Sequence, residues 1–267
     1  MDPSLDYLSI NKASWNKRAE VHYDSDFYDN DAFISGKNSL NDIELDLLGD
    51  VKGQSALHLQ CHFGQDTISL SRMGAKAVGV DFSEVAVEKA RKLADITQQD
   101  ASFICSDVYG LTDVLDETFD IVFSSYGTIG WLPDIRAWGQ LVARYLRPGG
   151  RFIFAEFHPV VWMFDDDFTK VSHRYFQDAP IVEQMEGSYT DRNAPISAQY
   201  VSWNHGLGEV LSSLLEAGLE IKAFREYDYS PYNCLNGMEE IEAGRYRIQA
   251  MGNKIPLVYA IEAHKPS

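Results

Sequence analysis

The sequence predicts an α/β fold in which seven strands form a doubly wound, mostly parallel sheet. Two observations carry this expectation. Short apolar stretches of strand length alternate with stretches of helical periodicity from about residue 40 to residue 160, and strict alternation of that kind builds parallel crossover units. Turn formers and acids punctuate the series: Gly74 closes one helical run, Asp81 follows an apolar one, and RPGG at 147–150 separates a helix from the next strand.

The elements follow in order. Residues 36–49 place Leu40, Ile43, Glu44, Leu47 and Leu48 at helical spacing after Gly36 and Ser39, which predicts a helix of about three turns ending near Gly49. SALHLQ (55–60) reads as a short strand and DTISLSRMG (66–74) as the helix after it, closed by Gly74. AKAVGV (75–80) is a fully buried type of strand. SEVAVEKARKLADITQ (83–98) is a helix capped by Ser83, with Val85, Val87, Ala90 and Leu93 inward. ASFICSD (101–107) and FDIVFSSYG (119–127) are two further strands, a helix runs between Pro133 and Leu146, and RFIFAEFHP (151–159) is the fifth strand. Beyond His158 the rhythm changes. The stretch to Tyr200 is too long for a simple connection and rich in aromatics, so an insertion, partly strand and lying over the sheet edge, is expected there. GEVLSSLLEAG (208–218) is a helix, LEIKAFREYDY (219–229) a sixth strand and PLVYAIEAHK (256–265) the seventh. A single domain over 1–267 is expected, with 1–50 as an N-terminal helical cap and 159–200 as the insertion.

Composition narrows the function classes. A formal net charge of −17 argues against a polyanionic partner such as nucleic acid, whose phosphates need clustered Lys and Arg. No run of eighteen apolar residues predicts a membrane span, and the amino terminus lacks a basic region followed by an apolar one. The three cysteines, Cys61, Cys105 and Cys234, share no CxxC spacing, so neither a disulfide framework nor a structural zinc site is predicted. A reducing cytoplasm is the expected compartment.

Open parallel sheets bind ligands beyond the carboxyl ends of their strands, where the strand order reverses. Residues 60–66, Asp81 with Phe82, residues 106–108, residues 124–127 and residues 156–159 occupy such positions. Asp81 is placed to accept both hydroxyls of a ribose, although Asp81 followed by Ser83 also reads as a plain helix cap.

AVGVDFS, FICSD, FDIVFSSYGTIGWL and LRPGGRFIFAEFHP, in this order and spacing, resemble the class I S-adenosylmethionine-dependent methyltransferases. The resemblance is close over residues 40–160 and looser over 206–265. It implies a Rossmann-like sheet whose last strand is antiparallel, S-adenosyl-L-methionine as cofactor with S-adenosyl-L-homocysteine as product, and a small-molecule methyl acceptor. In that family the first strand leads into Gly-x-Gly-x-Gly, whereas LHLQCHFGQDT (57–67) keeps only Gly64; Gln60 and His62 replace two glycines, and His58 the strand-end acid. Gly64 is then the position where backbone is expected to approach the ligand. By resemblance, His58, Gln60 and Gly64 line the methionine end, with Gln60 able to donate to its carboxylate. Asp81 holds the ribose, Phe82 packs on the adenine, Asp107 accepts from the adenine amino group with Val108 beside it, and Ser124, Ser125 and Tyr126 stand where methyl and acceptor meet.

Rival readings stay open at this point. His58, Cys61, His62 and His158 are metal-capable, but their spacing matches no usual metal motif, so no metal is predicted. Asp81 would also suit a nicotinamide dinucleotide, yet the fingerprint for one supplies a single glycine here. The altered loop would fit a cofactor binder without catalysis. A hydroxyl or ammonium acceptor must lose a proton, and the candidate bases are His158 and Glu156, with Tyr126 nearby. Aromatics in the N-terminal segment and the insertion, among them Trp15, Tyr28, Trp162 and Tyr189, suggest a lid over a small-molecule pocket or a satellite core.

Overall fold

A computed structural model describes residues 6–176 and 179–267. The first five residues of the expected cap, and residues 177 and 178 of the expected insertion, lie outside the described residues.

The chain opens with helices α1 (Tyr7–Tyr23), α2 (Asn30–Ile34) and α3 (Asp42–Leu48). The helix expected over 36–49 is thus shorter than its apolar spacing suggested. It starts at Asn41, where the Glu44 side chain turns back to accept the Asn41 backbone N–H at 2.9 Å. Strict alternation follows: β1 (Ser55–Leu59), α4 (Gln65–Arg72), β2 (Lys76–Asp81), α5 (Glu84–Thr97), β3 (Ala101–Cys105), β4 (Phe119–Ser125), α6 (Ile135–Tyr145) and β5 (Leu146–Phe157). Local signals set the boundaries. Ser83 accepts from Ala86 N at 3.1 Å to start α5, and Asp134 accepts from Ala137 N at 2.9 Å to start α6.

Beyond β5 come a hairpin of β6 (Ile181–Glu186) and β7 (Ser197–Ser202), then α7 (Leu207–Glu216), β8 (Glu220–Tyr227), a second hairpin of β9 (Met238–Glu242) and β10 (Arg245–Ile248), and β11 (Val258–His264). The main sheet has seven strands in the order β3-β2-β1-β4-β5-β11-β8. β1 pairs parallel with both β2 and β4, whereas β11 runs antiparallel between β5 and β8. The fold is the expected Rossmann-like one with an antiparallel final strand.

Both sheet faces are covered, so successive strand residues feed two cores. Leu57, Val122, Phe152 and Trp138 belong to one; Ala56, Ile121, Phe123 and Ile153 belong to the other. Order reverses between β1 and β4, and the turns at those carboxyl ends face a roof.

The roof differs from expectation in two ways. The β6–β7 hairpin lies over the carboxyl ends of the strands, not over a sheet edge, because it packs on α1: the buried Asn11 side chain donates to Val201 O at 2.7 Å and accepts from Val201 N at 2.8 Å. The 228–257 connection, which carries β9 and β10, also reaches the roof through residues 231–236. Its short strands are largely polar, MEEIE and RYRI, and leave no apolar run to betray them.

Candidate active site

Between sheet and roof is a cavity of about 990 Å³. Its floor is built from the turns after β1 to β5, and its roof from α1, the first hairpin and residues 231–236. One region of the fold therefore gathers almost every strand-end position singled out in the sequence.

The turn after β1 keeps a glycine-type backbone without the glycines. Gln60, His62 and Gly64 all have positive φ, at 56°, 52° and 82°. A side chain in that region costs roughly 1–2 kcal/mol, and such strain concentrates at ligand sites. The turn is tied down by Cys61 N to Val80 O at 2.9 Å and His62 N to Asp81 Oδ2 at 2.9 Å. Gln60 Nε2 donates to Thr128 O at 2.8 Å, which leaves its Oε1 enclosed without a partner. His58 is buried, with Nδ1 2.9 Å from Thr67 Oγ1, and burial pushes its pKa down to about 3. It therefore meets the cavity as a neutral ring.

Gly64 has a second reason to be glycine. A Cβ there would lie 2.5 Å from the Phe103 ring and 3.0 Å from Ala90 Cβ. The glycine is thus demanded by its φ and by packing beneath the loop, and its backbone also lines the cavity.

Asp81 ends β2 at 8% exposure, its Oδ1 accepting from Ser83 N at 2.9 Å and its Oδ2 from His62 N. Burial raises its pKa to about 6, against the pull of these amides. Both the cap and the strand-end reading of Asp81 thus describe one carboxylate that also lines the cavity. Phe82, Asp107 and Val108 line it too; Asp107 Oδ2 accepts from Tyr109 N at 3.0 Å and Gly110 N at 3.2 Å, which shapes the turn after β3. Ser124 is a correction. It is fully buried and donates to Thr128 Oγ1 at 3.1 Å, while its neighbours Ser125 to Thr128 form the wall.

The expected bases are displaced as well. The buried Glu156 carboxylate accepts from Thr128 N at 2.7 Å, Thr128 Oγ1 at 3.0 Å, Ile129 N at 3.2 Å, Phe157 N at 2.7 Å and also Gly127 N. Five donors fill a carboxylate that offers about four lone-pair sites. Glu156 therefore holds the 127–129 turn and has no capacity left to take a proton from a ligand. His158 is buried outside the cavity wall: Nδ1 accepts from Val160 N at 3.2 Å, so Nε2 carries the proton toward Glu226 Oε1 at 3.0 Å. Neither ring nitrogen is left as a base. Tyr126 does line the cavity, and its hydroxyl donates to Glu44 Oε2 at 2.7 Å. Burial and the neighbouring Glu44 raise its pKa well above 10, so it acts as a neutral hydroxyl.

Several wall residues were not singled out in the sequence. Asp66, on α4, takes a 3.3 Å hydrogen bond from Ser125 Oγ, and burial raises its pKa. Behind Tyr126, Glu44 is fully buried, and burial together with the charge of Asp66 lifts its pKa to about 7. Tyr232 packs edge-on against Tyr126 at 5.1 Å and accepts from Asn41 Nδ2 at 2.7 Å. From the roof, α1 presents Arg18 beside the expected Trp15; the two stand three apart and so share a helix face, a spacing visible in SWNKRA. Nothing in the local sequence marks Tyr232. Among the described residues no group of three or more His, Cys, Asp or Glu side chains is placed to hold a metal ion.

A family model described as methyltransferase domain matches residues 56–150, from β1 through the turn into β5. That stretch, a little over a third of the chain, is similar to a methyltransferase domain. The matched stretch includes the 60–64 turn, Asp81 and Asp107 but none of the three roof segments. An uncharacterised methyltransferase of Synechocystis is 31% identical over 136 residues, covering 49% of this chain and 60% of its own. The demethylmenaquinone methyltransferase of Corynebacterium urealyticum is 31% identical over 153 residues, covering 57% and 61%. The chain thus spans about three fifths of the length of these two curated relatives. Among solved structures, an S-adenosylmethionine-dependent methyltransferase from Listeria monocytogenes superposes with a TM-score of 0.59 at 20% identity, covering 83% of this chain and 94% of that one. Another from Clostridium acetobutylicum gives 0.58 at 14% identity, covering 96% and 99%. These structures share the methyltransferase fold.

Proposed function

We propose that this chain transfers a methyl group from S-adenosyl-L-methionine to a small-molecule acceptor enclosed beneath the α1 and hairpin roof. The observation that carries the proposal is the Gln60–Gly64 turn: it holds glycine-type φ values on glutamine and histidine, hydrogen-bonded to Asp81, where the strand order reverses. Strain of that kind persists where the surroundings enforce it for a ligand. When bound, the cofactor supplies a sulfonium methyl open to in-line displacement.

The chain's own residues provide position and dryness. Asp81 is oriented by two amides to receive ribose hydroxyls, Phe82 and Val108 flank the adenine, and Asp107 borders it. The enclosed Gln60 oxygen, with no protein donor, fits a ligand that brings one. At the acceptor end stand Ser125, Tyr126 and Tyr232. Asp66 takes over the proton-accepting role expected of His158 and Glu156, because it lines the cavity and its carboxylate is not saturated. Aromatic walls from Tyr126, Phe157, Trp162 and Tyr232 favour a flat, unsaturated acceptor. Support for that class also comes from relatives named for demethylmenaquinone and for ubiquinone biosynthesis. The acidic balance of the chain speaks against nucleic acid as acceptor. No described helix is long and apolar enough to cross a membrane, which is consistent with the cytoplasm as the working compartment.

The test is thermal and chemical. S-Adenosylhomocysteine should raise the melting temperature and NAD should not; incubation with S-adenosylmethionine and a panel of phenols, quinols and amines should release S-adenosylhomocysteine with at least one. A shift with NAD alone would favour a dehydrogenase, and adenosyl binding with no turnover across the panel would favour a binder.

A further inference from the structure

Glu44 is an acid to which the fold gives no surface. It lies on α3, before the segment matched by the family model, and is fully buried at 0% exposure. One oxygen, Oε1, caps the helix by accepting from Asn41 N at 2.9 Å. A cap stabilises a helix far less than burying a carboxylate costs, so capping alone does not account for the burial. The other oxygen accepts from the Tyr126 hydroxyl at 2.7 Å. The Asn41 amide nitrogen donates both to Glu44 Oε1 at 2.9 Å and to the Tyr232 hydroxyl at 2.7 Å. Both tyrosines line the cavity, Tyr126 from the end of β4 and Tyr232 from the roof, with ring centres 5.1 Å apart.

The direction of each bond follows from that one carboxylate. An ionised carboxylate only accepts, so Tyr126 commits its single proton to Glu44 and keeps its lone pairs for whatever lies beside it. The Asn41 amide must face the same carboxylate with its nitrogen, because its oxygen would meet a second acceptor there. That nitrogen also faces Tyr232, whose oxygen therefore accepts and whose own proton is left for a ligand. Two hydroxyls of one residue type are thereby given opposite roles. Tyr126 is fixed further by its backbone, with φ of 44° and its N–H donated to Ala155 O at 2.7 Å, and Phe27 packs on the Tyr232 ring at 5.7 Å. The titratable groups that act on Glu44 are Asp66 from α4, Tyr126 from the end of β4 and Tyr232 from the roof. The arginines that reach α3, Arg151 and Arg225, are engaged by Leu47 O at 2.8 Å and by Asp46.

We propose that Glu44 sets the hydrogen-bonding polarity of the substrate pocket, so that Tyr126 accepts from the substrate and Tyr232 donates to it. The methyl acceptor is accordingly an aromatic ring that carries one O–H or N–H donor and a second oxygen able to accept. The inference rests on the methyltransferase reading, which makes this part of the cavity the substrate's, and it deepens that reading by fixing what the substrate must present. Glu44 itself touches no substrate; it is a positioning residue that acts through the two tyrosines.

Calorimetric titration of the S-adenosylhomocysteine complex with three flat, neutral probes tests this, at pH 8 so as to lie above the value of about 7 to which burial and Asp66 raise Glu44. The probes are 4-methoxy-1-naphthol, which has both donor and acceptor; 1,4-dimethoxynaphthalene, which lacks the donor; and 1-naphthol, which lacks the second oxygen. The wild-type protein should bind the first about 3–10-fold more tightly than either of the others, as expected for one net hydrogen bond. In Glu44→Gln the amide oxygen stays on Asn41 N and the amide nitrogen faces Tyr126, which turns the Tyr126 proton toward the cavity. The preference over 1,4-dimethoxynaphthalene should then vanish while that over 1-naphthol remains, and Tyr232→Phe should give the converse pattern. Unaltered S-adenosylhomocysteine affinity certifies that each variant is folded; should Glu44→Gln lose it, the Tyr232→Phe pattern alone decides. A merely structural Glu44 would weaken all three probes alike. That result, an unchanged preference in either variant, or failure of all three probes to bind the wild-type complex overturns the inference while the cofactor reading stands. Absence of S-adenosylhomocysteine binding by the wild type overturns the cofactor reading and this inference with it.

Discussion

The carboxylate of Asp81 accepts from Ser83 N and His62 N before any ligand arrives, so its orientation is settled by backbone. Asp81→Asn keeps the shape but replaces one acceptor oxygen by an amide that must face a donor. Cofactor affinity should fall by about 1–3 kcal/mol, because a charge-assisted pair becomes a weaker one. Calorimetry with S-adenosylhomocysteine checks this, and unchanged affinity would reduce Asp81 to a splice between β2 and α5. Asp81 was legible in the sequence since an acid at a buried strand end has few reasons to be there. His158 was misleading for a reason of geometry. It stands one residue past β5, where a single step decides which side of the sheet a ring faces, and apolar spacing carries no such detail. Glu156 misled differently: its position at the site was correct, but five donors use up the base that the sequence suggested. Ring-bearing contacts such as Tyr232 come from a loop whose route depends on tertiary packing alone.

At the level of elements, strands and caps were readable where a local interaction makes the decision. Ser83 starts α5 and Asp134 starts α6 by side-chain hydrogen bonds within three residues. The two roof hairpins were not, because their partners are remote. α1 and β7 are joined through both polar atoms of the Asn11 amide, an arrangement that imitates one rung of a strand ladder. Asn11→Ala strands the buried N–H and C=O of Val201. The expected result is faster amide exchange in α1 and in β7 together, with protection of β1, β2 and β4 unchanged, as read by hydrogen exchange and mass spectrometry. Added S-adenosylhomocysteine should restore part of the lost protection if the roof closes on it. Exchange confined to β7 would show that the two elements open independently, and the roof would then not move as one piece.

Across the whole molecule, buried titratable groups pull stability in opposite directions with pH. The pKa values of His22, His58 and His62 are held at about 2, 3 and 3, below the unfolded value near 6.5. Their contribution is complete above pH 6.5 and is lost as pH falls, because the unfolded chain binds protons that the folded one refuses. Asp81 and Glu44 are raised to about 6 and about 7, so for them the folded state binds the extra proton and stability grows as pH falls through that range. Asp66 and Glu156 are raised by burial as well, and His158 is lowered, so the sign is read one group at a time. Relative to Glu44→Gln, the wild-type protein should gain stability as pH falls from 7 to 5, read from urea midpoints without ligand; parallel profiles would contradict the burial of Glu44. The Asn11 to Val201 link has a further consequence, for the time course of synthesis. Its two ends are 190 residues apart, which at ordinary elongation rates is a wait of roughly 10–40 s. During that interval α1 exists without β7, yet the side it will bury is Asn11, Ser14, Arg18, Ala19 and His22. A nascent helix with so polar an inner side offers little greasy surface to a wrong partner, and it keeps its place open until the chain that completes it has been made.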